Sequence, residues 1–149
     1  MEPQKSINER LKVFQSLIGK EVTTSPSNFM NWLKPTVIAA EIGSLHCSYT
    51  VRKEMTNPFG VLHGGVTAGI IDDLIGATIF TLGLNHHYIT VNNNIDYFAP
   101  AKEGDLITAK TCIVKQGKTI INVQCEVYLK AKNRVVAKGT SNMVNVGAI

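Results

Sequence analysis

No stretch of this 149-residue chain is both long enough and apolar enough to span a bilayer. The uncharged run from Leu74 to Ile95 is interrupted by His86, His87 and Asn92-Asn93-Asn94. The first twenty residues carry Glu2, Lys5, Glu9, Arg10, Lys12 and Lys20, which does not suit a secretion leader. Neither a leader nor a membrane span is expected, and the expected location is cytoplasmic. Cysteine is scarce. Cys47, Cys112 and Cys125 are odd in number, far apart and without a CxxC pair. That excludes a disulfide framework and a zinc site, and leaves small buried hydrophobes in a reducing compartment.

Charge is thin as well, at 17% of residues. Fifteen Lys and Arg against eleven Asp and Glu give a net +4, but the basic residues are scattered. Only pairs such as Arg52-Lys53 occur, with no aromatic-basic interleaving, so a nucleic-acid surface is not expected. A mildly basic chain equally suits an anionic small ligand such as a nucleotide or coenzyme. There is no GxGxxG, no GKS or GKT, and no GxSxG elbow. Phosphate loops and serine triads of those types are excluded.

What is present fits one domain over residues 1–149, with 1–35 as an N-terminal helix and loop. A chain of this size buries roughly 68–70% of its unfolded surface, and 44% of its residues are hydrophobic. Residues 6–18 read as an amphipathic helix: Ile7, Leu11, Phe14 and Ile18 recur at helical spacing. Ser6 with Glu9 suits a capping box, and Gly19 is a stop. Residues 20–35 read as a loop whose Phe29, Trp32 and Leu33 pack over the core.

From Thr36 the period changes to two, predicting strands over Thr36–Glu41 and Ser44–Lys53 around Gly43. Further strands are expected at Tyr88–Phe98, Asp105–Lys115, Thr119–Lys130 and Val135–Val146, joined in series as an antiparallel meander.

Between the strand groups a principal helix is predicted from about Gly64 to Leu82. Its apolar residues occupy most of the circumference, as in a helix wrapped by a sheet. Gly65, Gly69, Gly76 and Gly83 fall within about 260–300°, counting 100° per residue from Val66. Such a stripe marks close approach of a strand, ligand or partner, or simple packing against the sheet. Asp72 and Asp73 flank it. Carboxylates on an apolar helix are candidate acid-base or nucleophilic groups, or else they cap a loop or pair with a lysine.

The helix opens with His63-Gly64-Gly65, leaving backbone N–H donors unobstructed at a positive dipole end. A carbonyl oxygen held there meets oxyanion-hole geometry. Gly64 and Asp72 lie eight residues apart, about 12 Å along the axis. For both to serve one reaction, Asp72 must come from a neighbouring subunit, most simply in a two-fold dimer with two shared sites. His63 has a site reading and a plain loop reading. His86-His87 is expected in a solvent-exposed loop, a poor metal site, and no metal is expected.

The stretch Asn57-Pro58-Phe59-Gly60-Val61-Leu62-His63-Gly64-Gly65, with Asp72 nine residues after the histidine, resembles the active-site segment of hotdog-fold thioesterases. It is closest to the phenylacetate-degradation and acyl-CoA thioesterase 13 types. Thr90 to Ala101 and Lys115-Gln116-Gly117-Lys118-Thr119 resemble theirs too, so the likeness covers about 36–146. It implies an α+β hotdog fold, an antiparallel sheet wrapped around a long helix, assembled as homodimers or homotetramers. It also implies hydrolysis of coenzyme A thioesters, with no cofactor because coenzyme A is part of the substrate. Carried over, the Gly64 N–H polarises the carbonyl, and the partner subunit's Asp72 acts as general base or nucleophile. Thr90 positions water; threonine for serine keeps the hydroxyl. Asn57 and His63 line the pocket, and Gly65, Phe59 and Asp73 are expected substrate-binding positions; Lys115 and Lys118, read from their charge alone, either contact coenzyme A phosphates or form a solvated hairpin end. Two other readings remain: an acyl-CoA-binding module without turnover, and a hotdog hydratase or dehydratase.

Overall fold

The computed structural model describes residues 8–148. Its organising element is α3, Gly64–Phe80, with Ile70, Ile71, Leu74, Ile75, Thr78 and Ile79 buried. Apolar residues on nearly every side mean that no single layer covers this helix. Six antiparallel strands take most of it: β1 (Thr36–Glu41), β2 (Ser44–Thr50), β3 (His86–Tyr97), β4 (Leu106–Gln116), β5 (Ile120–Leu129) and β6 (Arg134–Ala148). Alternate residues of these strands, such as Leu45, Cys47 and Tyr49 or Ile121, Val123, Cys125 and Val127, face the helix and form the core. This is the expected hotdog arrangement.

The strand order is β1-β2-β4-β5-β6-β3, which corrects the expected four-strand meander. Strands β4, β5 and β6 do follow one another, but β3 pairs with β6 at the sheet edge. After β3 the chain turns across the sheet end, where Phe98 N–H bonds to Val136 O and Val51 N–H to Asp105 O. It thereby arrives beside β2. Periodicity locates strands, but strand partners depend on where the intervening chain can run.

A second layer covers part of α3. Helix α1 is Glu9–Ser16, shorter than expected, and Asn8 caps it by accepting from the Arg10 and Leu11 N–H groups. Ser6 of the expected capping box lies outside the described residues. The expected loop over 20–35 contains α2, Asn28–Leu33, capped by Ser27 and ended by Lys34 in the left-handed region. Leu33 is fully buried, while Phe29 and Trp32 stack with ring centroids 6.0 Å apart. Cys47 and Cys125 are buried, their thiols pushed up to about 12 chiefly by burial. Cys112 is only half-buried, a correction to the third expected core cysteine: its Sγ accepts from Gln124 Nε2.

Sheet and helix leave little room at Gly139, where a Cβ would lie 3.1 Å from Ile71 Cγ2 and 3.2 Å from Ile95 Cγ1. Gly139→Val is expected to overpack this contact and lose about 1–3 kcal/mol, read as a lowered Tm in thermal denaturation. An unchanged Tm would show that β6 has room to shift.

Candidate functional site

The N-terminus of α3 is shaped by backbone and by His63. His63 is extended, at φ −61° and ψ 134°, and its Nδ1 accepts the Gly65 N–H at 2.9 Å. The imidazole is thus the helix cap, a role that takes one of the orphan donors. Gly64 N–H has no acceptor among the described residues. Upstream, Asn57 Oδ1 accepts from the N–H groups of Phe59 and Val61, at 2.9 and 3.3 Å, and so bends the 57–61 turn. Phe59 stands at its tip, 89% exposed. Tyr97 completes this group, its hydroxyl donating to Gly64 O at 3.0 Å. Nothing in the sequence pattern singled out Tyr97.

A second group forms midway along α3. Asp72 Oδ1 accepts from Thr90 Oγ1 and from Asn93 Nδ2, both at 2.9 Å. Residues three apart on a regular strand face opposite ways. Here the register of β3 against β6 shifts between Thr90 and Asn92, so Thr90 and Asn93 converge on one carboxylate. Asn93 escaped sequence reasoning, although three successive asparagines inside a strand are poor β-formers and mark a special local role. The two groups are joined by β3, which runs beside α3 with Tyr97 at one end and Thr90 near the other. Within one chain they stay about 12 Å apart along the helix axis, and Gly64 and Asp72 do not meet.

Asp72 and Thr90 border a cavity of about 640 Å³ between α3 and the N-terminal layer. Its walls are mostly apolar: Val13, Phe14, Leu17, Val22, Met30, Ala77, Phe80 and Met143. Asp73 borders it as well. Gly76 opens onto it, and a Cβ there would meet nothing within 4 Å. At Gly69 the approach anticipated for the glycine stripe comes from a side chain, the Phe29 ring, 2.5 Å from an ideal Cβ. Gly83 lies beyond the helix, in a turn at φ +67°. Gly65, Phe59, Lys115 and Lys118 do not border the cavity; the two lysines are exposed at the β4–β5 turn. His86 and His87 are exposed, but they open β3 instead of lying in a loop. A shallower groove of about 510 Å³ on another part of the sheet is lined by Lys110, Gln124, Glu126 and Lys138. Its Lys138–Glu126 ion pair, at 3.2 Å, is an ordinary exposed contact.

The two adjacent acids differ sharply. Asp73 Oδ1 accepts from Ser27 Oγ at 3.0 Å, while Oδ2 is buried without a partner. Burial first, and the neighbouring Asp72 charge second, push the Asp73 carboxyl up to about 6 against the opposing Ser27 hydrogen bond. Folded Asp73 therefore holds its proton through a window, from about 4 to about 6, in which the unfolded chain has released it. Stability falls as pH rises through that window, and the full penalty stands above it. Asp73→Asn, neutral throughout, is expected to raise Tm relative to wild type more at pH 7.5 than at pH 4.5. A difference independent of pH would contradict this environment.

Comparison with known proteins identifies the family. Residues 59–136 match the model of the thioesterase superfamily. Human acyl-coenzyme A thioesterase 13 is 33% identical over 117 residues, covering 78% of this chain and 84% of that protein. The crystal structure of mouse thioesterase superfamily member 2 is 27% identical, covers 97% of this chain and 100% of its own, and superposes with a TM-score of 0.73. The E. coli PaaI protein, from the phenylacetic acid degradation operon, shares the fold at a TM-score of 0.80, with 18% identity and 96% and 98% coverage. Matched over more than half its length by the family model, and carrying the hotdog fold, this chain is a member of the thioesterase superfamily.

Proposed function

We propose that this chain hydrolyses acyl-CoA thioesters, at two sites shared across a two-fold dimer. The observation that carries the reading is the carboxylate of Asp72, anchored through one oxygen by Thr90 and Asn93 and bordering an apolar cavity. One tethered oxygen fixes the group's direction; the other remains available for a water or a carbonyl carbon. The relative named acyl-coenzyme A thioesterase 13 supports the choice of thiol carrier.

The dimer is inferred from β3. It has a hydrogen-bonded neighbour on one side only, and Ile89, Val91, Tyr97 and Phe98 are all more than half exposed. An uncovered twelve-residue edge of this kind is a template for another strand. Antiparallel pairing of two β3 strands centred near Asn93-Asn94 sets Thr90 of one strand opposite Tyr97 of its copy. Asp72 then faces the Gly64 end of the other α3, which removes the 12 Å gap. Further pairing of dimers into a tetramer is compatible with this arrangement.

In the reaction, the Gly64 N–H polarises the thioester carbonyl and Asp72 accepts a proton from water as the oxygen attacks the carbonyl carbon. The tetrahedral oxyanion rests on the Gly64 donor, then collapses and breaks the C–S bond. The departing thiolate recovers the proton from Asp72, giving free acid and coenzyme A. Direct attack by the carboxylate, through a mixed anhydride, uses the same positions. Asn57 and His63 act through shape, bending the turn and capping the helix, with Asn57 also helping to orient the attacking group. Phe59, Gly65, Lys115 and Lys118 are proposed contacts for the coenzyme. No cofactor or metal is assigned a role, and the reduced cysteines suit a cytoplasmic setting.

Thiol release from short, medium, long and aromatic acyl-CoAs tests the reading, with the protein's own cysteines subtracted. Asp72→Asn is expected to lose roughly 10²- to 10⁴-fold in kcat. Gly64→Pro removes the donor while suiting a first helical position, and the extended His63 already has the conformation required before proline. It is expected to lose roughly 10²- to 10³-fold. Binding without thiol release for every member would favour the binding module instead.

A further inference from the structure

The outward stripe of α3 runs Gly69, Asp73, Gly76 and Phe80, and the N-terminal layer meets it at three points. The Phe29 ring covers Gly69, Ser27 hydrogen-bonds Asp73, and Phe14 meets Phe80 edge-on with centroids 6.1 Å apart. Between the second and third points lies the cavity over Gly76. Ser27 to Asp73 is the one hydrogen bond, among the described residues, between the 20–27 segment and α3.

The segment is braced as a unit. Ser27 Oγ also accepts the Met30 N–H at 3.1 Å, Ser25 Oγ accepts the Ser27 N–H at 3.1 Å, and Asn31 bonds Ser25 through both N–H and C=O. We propose that Asp73 is a positioning residue that selects acyl length: through Ser27 it holds this braced segment down as the roof of the cavity.

Asp72 on its own helix and the uncharged Ser27 from the roof act on Asp73, and Asp73 in turn raises Cys47 and Tyr49 of β2. Tyr49 Oη, like Asp73 Oδ2, is buried without a partner. Nothing cationic compensates an ionised Asp73 among these groups. With the roof down its carboxyl sits at about 6; lifting the roof admits water and lets it fall back. Closure is therefore proton-linked, and each unit of difference between the two values is about a tenfold shift in the closing equilibrium. Raising the pH through 6 loosens the roof.

Trp32, the only tryptophan, belongs to α2 in the same unit and reports on it directly. Its fluorescence is expected to titrate near pH 6 in the wild type and to lose that step in Asp73→Asn, which keeps an acceptor for Ser27 but cannot ionise. A step that persists in Asp73→Asn belongs to a histidine and overturns the proposal, as does a wild type without one. The acyl-length part rests on the thioesterase reading. There, KM for long acyl-CoAs should rise several-fold with pH in the wild type and stay low in Asp73→Asn. In Ser27→Ala it should be high at every pH, with acetyl-CoA little affected in that variant. Circular dichroism shows whether Ser27→Ala keeps its helices. A normal fluorescence step with no turnover on any thioester would sink the thioesterase reading alone, whereas turnover with no length-dependent KM change would sink the roof.

Discussion

Everything in this molecule depends on burying α3, a seventeen-residue helix that is apolar on almost every side. A sheet six strands wide wraps much of that surface, and its inward residues must approach closely, as Gly139 does against Ile71. The wrapping is incomplete, because a curved sheet leaves one stripe of a helix uncovered. The N-terminal layer closes over that stripe, and the gap it leaves above Gly76 is the cavity. Fold and cavity come from the same constraint.

Two carboxylates on such a helix face different surroundings, and environment separates their roles. Asp72 meets β3, whose bulge supplies two donors to one oxygen. Asp73, one residue on, turns toward the roof and β2, where it has one donor and an orphaned oxygen. The first is fixed in direction by two donors; the second resists ionisation. A rotation of 100° along the helix decides between them.

Much of this was readable from residue order. The boundaries of β1 and the start of α3 at Gly64 matched expectation, because period and capping chemistry are local. The family likeness named Asp72 and Thr90 separately, without their shared hydrogen bond; of the glycine stripe, Gly69 is approached by the Phe29 ring where a strand, ligand or partner was expected, and Gly76 meets nothing within 4 Å. The pairing of β3 with β6 was not readable, since it depends on the chain's course across the sheet end. Nor was α2, a helix of six residues with too few turns to show a period. Asn93 and Tyr97 join the site through a bulge and a strand-helix register, and neither leaves a mark in spacing alone.

Gly64 and Asp72 are proposed to act on one thioester from opposite subunits. Mixing Asp72→Asn with Gly64→Pro, each inactive alone, tests it directly after denaturation and refolding together. Random pairing makes about half the dimers mixed, and each mixed dimer regains one intact site, so about a quarter of wild-type thiol release should return. Equal mixing that returns no activity, from dimers shown to contain both chains, would place both groups within a single subunit.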